Sequence, residues 1–340
     1  MSIQQNSIKQ DQSTRWKLEN KREISVKKVL ISWEMLLIAL LIGIMIMNAN
    51  LSPHFLSFNT IIEATRVFLD GAFLVFPMVL IIILGGIDIS VGSTVALTSV
   101  VMGVSFDMGV PMPLAIIIAL ILGAFCGFIN GFLITKFKEL SPVIVTLGTM
   151  IAFRGIAYMI LENQSVGGFP SWFNSLGWGD VLGVPIMLFA FIITAIAFSL
   201  LLHRTNYGRQ VYATGKNETA SRFSGVNTER VKIIAFVLAG LMAAVTALFL
   251  TSRMGSTRPN IASNYELEAI AMVALGGVST AGGKGKMFGP IICVFIIGFL
   301  QFGLGVVNVS SQTLMIIIGL LLITSVSVPK IGEMMTNKKK

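Results

Sequence analysis

Ten apolar runs divide this chain, and most are long enough to cross a lipid bilayer. A helix needs about 20 residues to span roughly 30 Å of hydrocarbon. Cut at polar or glycine-proline punctuation, the runs are Ile31 to Met47, Ile61 to Leu84, Val91 to Ser105, Met112 to Thr135, Pro142 to Leu161, Val181 to Leu202, Val231 to Thr251, Glu266 to Val278, Phe288 to Val307 and Gln312 to Val328. The third and eighth are short, which predicts tilted, broken or partly re-entrant helices packed against protein. The polar segments between runs are too short for a further folded domain. The expected fold class is therefore all-α: a polytopic membrane protein of about ten transmembrane helices. It would comprise a basic tail over 1–30, one membrane domain over 31–330 with an inside loop at 203–232, and a second basic tail over 331–340.

Composition agrees with that reading. Hydrophobic residues make up 54% of the 340 and charged residues 12%, about half the density of a soluble domain. So few charges leave too little polar surface to coat a body in water. A net charge of +9 would suggest nucleic acid on a soluble protein, but here Lys and Arg report topology. With a cytoplasmic N-terminus, ten spans put 21 of the 25 basic residues on one face. Seven lie in the first tail, two at Lys136 and Lys138, six between Arg204 and Lys232, two at Lys284 and Lys286, and four from Lys330 onward. Only Arg66, Arg154, Arg253 and Arg258 fall elsewhere. Nine or eleven spans would throw several clusters to the wrong face. The first run follows about thirty polar residues and lacks a small-residue cleavage site, so it reads as a retained anchor.

Residues able to do bond chemistry are scarce. His54 and His203 fall at opposite faces of the membrane, and Cys126 and Cys293 sit inside apolar runs as small hydrophobes. No catalytic residue, metal site or cofactor is expected. The stretch Gly276-Gly-Val-Ser-Thr-Ala-Gly-Gly-Lys-Gly-Lys fails as a phosphate-cradling loop, because Val278 stands where the first glycine belongs and Gly285 follows Lys284. If ATP drives this protein, another chain must bind it. A carrier coupled to protons or sodium buries ionisable groups in its spans. Arg154 is the only clear mid-span charge, while Asp70 and Glu34 lie toward span ends.

Several residues still invite a role. Asp88, with Ser90, either caps the next helix start or takes part in gating. Arg154 pairs with a carbonyl or borders a polar pathway, unless it marks a span boundary. Glu266 and Glu268 suit the first turn of the eighth span or contact a partner on the outer face. Gly123, Gly127 and Gly131 share one face and allow close helix contact. Leu84-Gly-Gly-Ile-Asp-Ile-Ser and Leu275-Gly-Gly-Val-Ser-Thr form a faint internal echo, marking Gly85, Gly86, Gly276 and Gly277 as turn or gating positions.

The most informative segment runs from His203 to Lys232. Asn217 is a plausible helix cap, Glu218 suits a first turn and Gly225 can end the helix. This gives about two turns, with Ala220 and Phe223 on one face beside Arg222. A free helix this short is not stable in water, so it docks on the membrane surface or in a groove of a cytoplasmic partner.

Three motifs together carry a resemblance: Gly85-Gly-Ile-Asp-Ile-Ser-Val-Gly-Ser, the loop Gly208-Arg-Gln-Val-Tyr-Ala-Thr-Gly-Lys-Asn through Arg222-Phe-Ser-Gly-Val, and Tyr265-Glu-Leu-Glu-Ala-Ile-Ala through Gly276-Gly-Val-Ser. In family order and spacing, they resemble the membrane permease of ribose-type sugar ABC importers, from about residue 31 to 330. The tail before Ile31 departs from the family. The resemblance implies a bacterial inner-membrane subunit, both termini cytoplasmic, that pairs with a second copy or a sister permease around a central pathway. It implies a cytoplasmic ABC ATPase and an extracytoplasmic sugar-binding protein as partners, with surrounding lipid and no nucleic acid. The family loop that contacts the ATPase matches Gly208 to Gly225, so Gly208, Arg209, Tyr212, Gly215, Asn217, Arg222, Phe223 and Gly225 are its expected coupling residues. Arg154, Arg253, Arg258, Glu266 and Glu268 are outer-face or pathway candidates. Leu201-Leu-His-Arg-Thr-Asn-Tyr-Gly-Arg and Thr251-Ser-Arg-Met-Gly-Ser-Thr-Arg-Pro look most like the rhamnose-type permeases, then the autoinducer-2 type. A rhamnose-like or other monosaccharide is the implied cargo. The alternative is an ion-coupled sugar carrier or channel that needs no ATPase.

Overall fold

A computed structural model describes residues 33–310, together with 313, 316, 317, 319, 320 and 323. Both basic tails, and most of the expected tenth span, lie outside the described residues. The described residues are mostly helical: α1 (Trp33–Leu51), α2 (Phe58–Ala72), α3 (Val75–Ile83), α4 (Val91–Asp107), α5 (Met112–Lys136), α6 (Pro142–Leu161), α7 (Ser171–Trp178), α8 (Ile186–Arg204), α9 (Asn206–Lys216), α10 (Glu218–Phe223), α11 (Thr228–Met254), α12 (Tyr265–Leu275) and α13 (Phe288–Val306). Four two-residue strands pair antiparallel, β1 (Val166–Gly167) with β4 (Ser256–Thr257) and β2 (Asp180–Val181) with β3 (Val184–Pro185). Among the described residues six helices are long and apolar enough to cross a membrane, or seven if α2 and α3 make one bent span. The chain is thus an all-α polytopic membrane protein.

The apolar code is inverted on the outer helices. Every residue of α3 is buried, whereas α1, α6 and α8 expose Leu36, Ile42, Ile151, Met159 and Ile193. Such surface is stable only against lipid or another apolar partner. At the centre, phenylalanines interlock: Phe73 stacks on Phe249 with ring centroids 5.1 Å apart, and Phe76 meets Phe191 and Phe198.

Glycine lets α5 and α11 touch backbone to backbone. A Cβ on Gly123 would lie 2.4 Å from the Gly240 carbonyl oxygen, one on Gly127 would lie 2.1 Å from that of Phe236, and one on Gly131 would lie 2.9 Å from the Ile233 Cα. The ladder expected on one face of the fourth span is therefore a packing seam.

Two spans depart from a simple crossing. The second, expected as one run from Ile61 to Leu84, breaks between α2 and α3 with a bend of 44°. Pro77 is the cause: it has no N–H to return to the Phe73 carbonyl four residues back, and its ring crowds that position. The eighth span contains only the 11 residues of α12 in helix. Its start is deep. Thr257 packs on Gly103, while Ala262 and Glu266 pack on Gly92, both glycines being on α4. Those contacts are eleven residues apart, about 16 Å along the helix. After β4, residues 258–264 therefore descend about half the membrane as irregular chain, and α12 completes the crossing from mid-depth. Irregular backbone survives at that depth because protein satisfies its polar groups: Arg154 Nη1 donates to the carbonyls of Pro259 at 2.8 Å and Ile261 at 2.7 Å.

Candidate coupling and pathway sites

At the basic end of the bundle, α9 and α10 form a compact knot outside the spans. Thr205 Oγ1 caps α9 by accepting from the Gly208 N–H, and Asn217 Oδ1 caps α10 by accepting from the Ala220 N–H at 2.9 Å. Gly225, with φ of 86°, ends α10 in the left-handed region that suits glycine. Its N–H donates to the Arg222 carbonyl, and the Val226 N–H reaches back to Ser221. The helix over Glu218–Phe223 is shorter than two turns, and the longer α9 before it was not expected.

The knot is tied to two spans at once. A Cβ on Gly215 would stand 1.8 Å from the Ile83 carbonyl oxygen and 2.9 Å from the Gly283 nitrogen, so α9 rests directly on the end of α3 and on the loop after α12. The Gly283 N–H donates to that Ile83 carbonyl at 2.8 Å, and the Tyr212 hydroxyl donates to the Gly285 carbonyl at 2.7 Å. Both glycine echoes meet here. α3 and α12 end with the same pair of backbone bonds, Gly85 to Ile82 with Gly86 to Ile81, and Gly277 to Ala274 with Val278 to Val273. The structural match is one residue out of step with the sequence match, since the left-handed residue is Gly85 in one turn and Gly277 in the other.

Charge holds α10 in place. Lys232 Nζ lies 2.6 Å from Glu218 Oε2, and Arg222 reaches Glu218 at 3.4 Å and Glu229 at 3.9 Å. Partial burial pushes the Glu218 carboxyl up, but the Lys232 ammonium and the Arg222 guanidinium outweigh it and hold the group below the usual range. Arg209 bonds to Asn206 on its own helix. Arg222 is thus engaged within the knot, and Phe223 is the residue presented outward, 90% exposed beside a groove of about 430 Å³. The groove is lined by Lys138, Leu140, Glu218, Arg222, Phe223 and Lys232, among others.

Nearby, Asp88 Oδ1 accepts from both the backbone N–H and the hydroxyl of Ser90, at 2.8 and 2.7 Å, and Asn130 Nδ2 donates to the same hydroxyl. Asp88 therefore orders the turn before α4, while Ser90 makes no side-chain cap to the helix itself.

At the opposite end, α7 and the β2–β3 hairpin are pinned to the bundle. Arg66 donates to the Trp178 carbonyl and pairs with Glu63 and Asp180, and Ser252 binds the backbone of Phe173 and Gly177. One turn deeper, Arg253 Nη2 lies 2.7 Å from Asp70 Oδ2, and Asp70 is 1% exposed. Sequence reasoning left Arg253 among outer-face residues and Asp70 near a span end. Only the fold brings these two, 183 positions apart, into a buried pair. Glu268 and Tyr265 border a cavity of about 200 Å³ next to that pair. Arg258 is exposed, and Glu266 is buried at the start of α12.

The comparisons with known proteins fit this architecture. Residues 60–326 match the model of a family described as branched-chain amino acid transport system / permease component. The chain belongs to that permease family. The permease is 37% identical, over 300 residues, to the autoinducer 2 import system permease protein LsrD of Escherichia coli K12 and to that of Shigella flexneri. The match covers 86% of this permease and 91% of each relative. The same identity and coverage relate it to LsrD of Escherichia coli O157:H7. No solved structure matches.

Proposed function

We propose that this permease is the membrane subunit of an ATP-driven importer, with residues 31–330 as one transmembrane domain and both termini in the cytoplasm. The observation that carries the reading is Phe223, a fully presented aromatic ring on a short capped helix, beside a groove that mixes charge and apolar surface. An ABC-type ATPase would seat α9 and α10, and its closure would pull on α3 and α12 through Gly215, Tyr212 and the loop after Gly277. Aromatic anchors in partly desolvated grooves dominate such interfaces. A second copy or sister permease would complete the pathway, and the exposed loop around Arg258 would meet a sugar-binding protein. The cargo that the relatives' name supports is autoinducer 2, with rhamnose or another monosaccharide as the sequence-based expectation.

The test is Phe223→Asp in the assembled transporter. ATP-dependent uptake should fall at least tenfold while the permease remains inserted, and a lysate pull-down should lose the ATPase. Unchanged uptake would remove the docking role. Uptake by the unmodified transporter that ignores ATP and collapses with an ionophore would favour the ion-coupled carrier instead.

A further inference from the structure

A cavity of about 550 Å³ lies at the knot end of the bundle, between the start of α1 and the loop from α12 to α13. Trp33 and Glu34 line it from α1, and Gly277, Lys284, Gly285 and Lys286 from the loop. This is the glycine and lysine stretch that fails as a nucleotide loop, and hydrogen bonds hold it in one shape. The Ser279 N–H donates to the Lys284 carbonyl at 3.0 Å, the Gly283 N–H to the Ile83 carbonyl at 2.8 Å, and the Tyr212 hydroxyl to the Gly285 carbonyl at 2.7 Å. Gly282 and Gly283, with φ of 83° and 71°, take the left-handed turns that this path needs. Lys284 and Lys286 are therefore presented from a fixed loop, one on each side of Gly285.

The charges around the cavity do not balance. Lys286 Nζ lies 2.8 Å from Glu34 Oε1, whereas Lys284 has no ion-pair partner among the described residues. Lys216, at the end of α9, is likewise unpaired among them, and its backbone packs on Gly283. Three lysines against one glutamate leave positive charge to spare, so the site calls for an anion.

Two features indicate what carries that anion. The Trp33 indole N–H donates to the Leu275 carbonyl at 2.9 Å, and its ring lies against Gly277, which fixes a tryptophan at the rim where lipid headgroups sit. Leu36 and Leu40, three and seven residues on from Trp33, continue its face of α1 as exposed apolar surface, and Phe288 is exposed at the start of α13. Cations beside an apolar wall suit a phosphate that carries acyl chains better than a soluble anion.

We propose that this cavity seats the headgroup of one anionic phospholipid from the leaflet on the knot side, its phosphate on Lys284 and Lys286 and its acyl chains along Leu36 and Leu40. The lipid closes α1 onto the loop that the knot grips through Tyr212.

Full-length permease in detergent, titrated with dioleoylphosphatidylglycerol and separately with dioleoylphosphatidylcholine, tests this, with bound lipid counted by native mass spectrometry. One phosphatidylglycerol should be retained in preference to phosphatidylcholine. Lys284→Gln should weaken that binding about fivefold, and Lys284→Gln with Lys286→Gln about 25-fold. Glu34→Gln removes the one carboxylate of the site and should strengthen binding, a gain that a misfolded variant could not give. Equal retention of the two lipids by the wild type, or a double variant that keeps the wild-type preference, overturns the proposal. Melting temperature in the same detergent separates the sources of phosphate: phosphatidylglycerol should raise it, and millimolar inorganic phosphate should not. An equal rise with inorganic phosphate would make the free ion the ligand and overturn the lipid assignment.

Discussion

Asp70 and Arg253 illustrate how much rests on single side chains inside this bundle. Both Nε and Nη2 of Arg253 address one carboxylate oxygen, at 3.0 and 2.7 Å, while the other oxygen accepts from the Gly71 N–H. Removing one member of a buried pair strands the other charge, at a cost of about 3–5 kcal/mol. Asp70→Asn should therefore lower the melting temperature of the detergent-solubilised permease markedly, and Asp70→Leu combined with Arg253→Met should recover much of the loss. Equal melting of the single variant and the wild type would show that the pair bears no load. The pairing was not legible in the sequence, because the bend at Pro77 decides where Asp70 points. Arg154 was more readable: a lone mid-span cation needs an acceptor, and a carbonyl partner was one of the alternatives it offered. What the sequence withheld was that the carbonyls belong to an unwound segment rather than to a helix end.

Helices in this permease are placed by what they lack as much as by what they present. Gly240 leaves a gap that the Gly123 carbonyl fills, since a Cβ there would be 1.9 Å from that oxygen. Gly240→Ala should force α5 and α11 apart and cost about 1–3 kcal/mol. Gly43→Ala, where nothing lies within 4 Å, should leave the melting temperature unchanged or slightly raised. A thermal denaturation series reads both, and an Ala at 240 as well tolerated as one at 43 would contradict the close approach. The four-residue glycine spacing announced this seam directly. The lengths of the long unbroken helices were also well predicted, as with α5 and α6, because about 20 apolar residues have few other uses. The short eighth span was expected from its length alone to be tilted, broken or partly re-entrant, but its depth depends on contacts with α4 that no local pattern encodes. The break in the second span, by contrast, was written in the sequence at Pro77 and passed over, since a run of strong hydrophobicity masked one helix-breaking residue.

At the scale of the whole molecule, the two ends of the bundle differ in chemistry. One carries the basic knot of α9 and α10; the other carries α7 and the hairpin whose Leu182 is 96% exposed. The excess of Lys and Arg there predicts that the knot faces the cytoplasm. Leu182→Cys in intact cells should react with an impermeant thiol reagent, and Ser224→Cys should react only after the membrane is opened. The reverse pattern would invert the topology and with it the docking of an ATPase. The permease family was legible from three motifs in order, because it is written in residue types rather than in packing; the expected orientation rests on charge alone.

The half-length of α12 also bears on how the permease is made. A segment whose helix has 11 residues, led by Glu266 and Glu268, is too short and too charged to leave the insertion machinery for lipid by itself. Its stability comes from Gly92 and Gly103 on α4 and from Arg154 on α6, all synthesised earlier. α12 must therefore enter the membrane as a guest of helices already in place, which makes its insertion a late, assembly-dependent step in the birth of the protein.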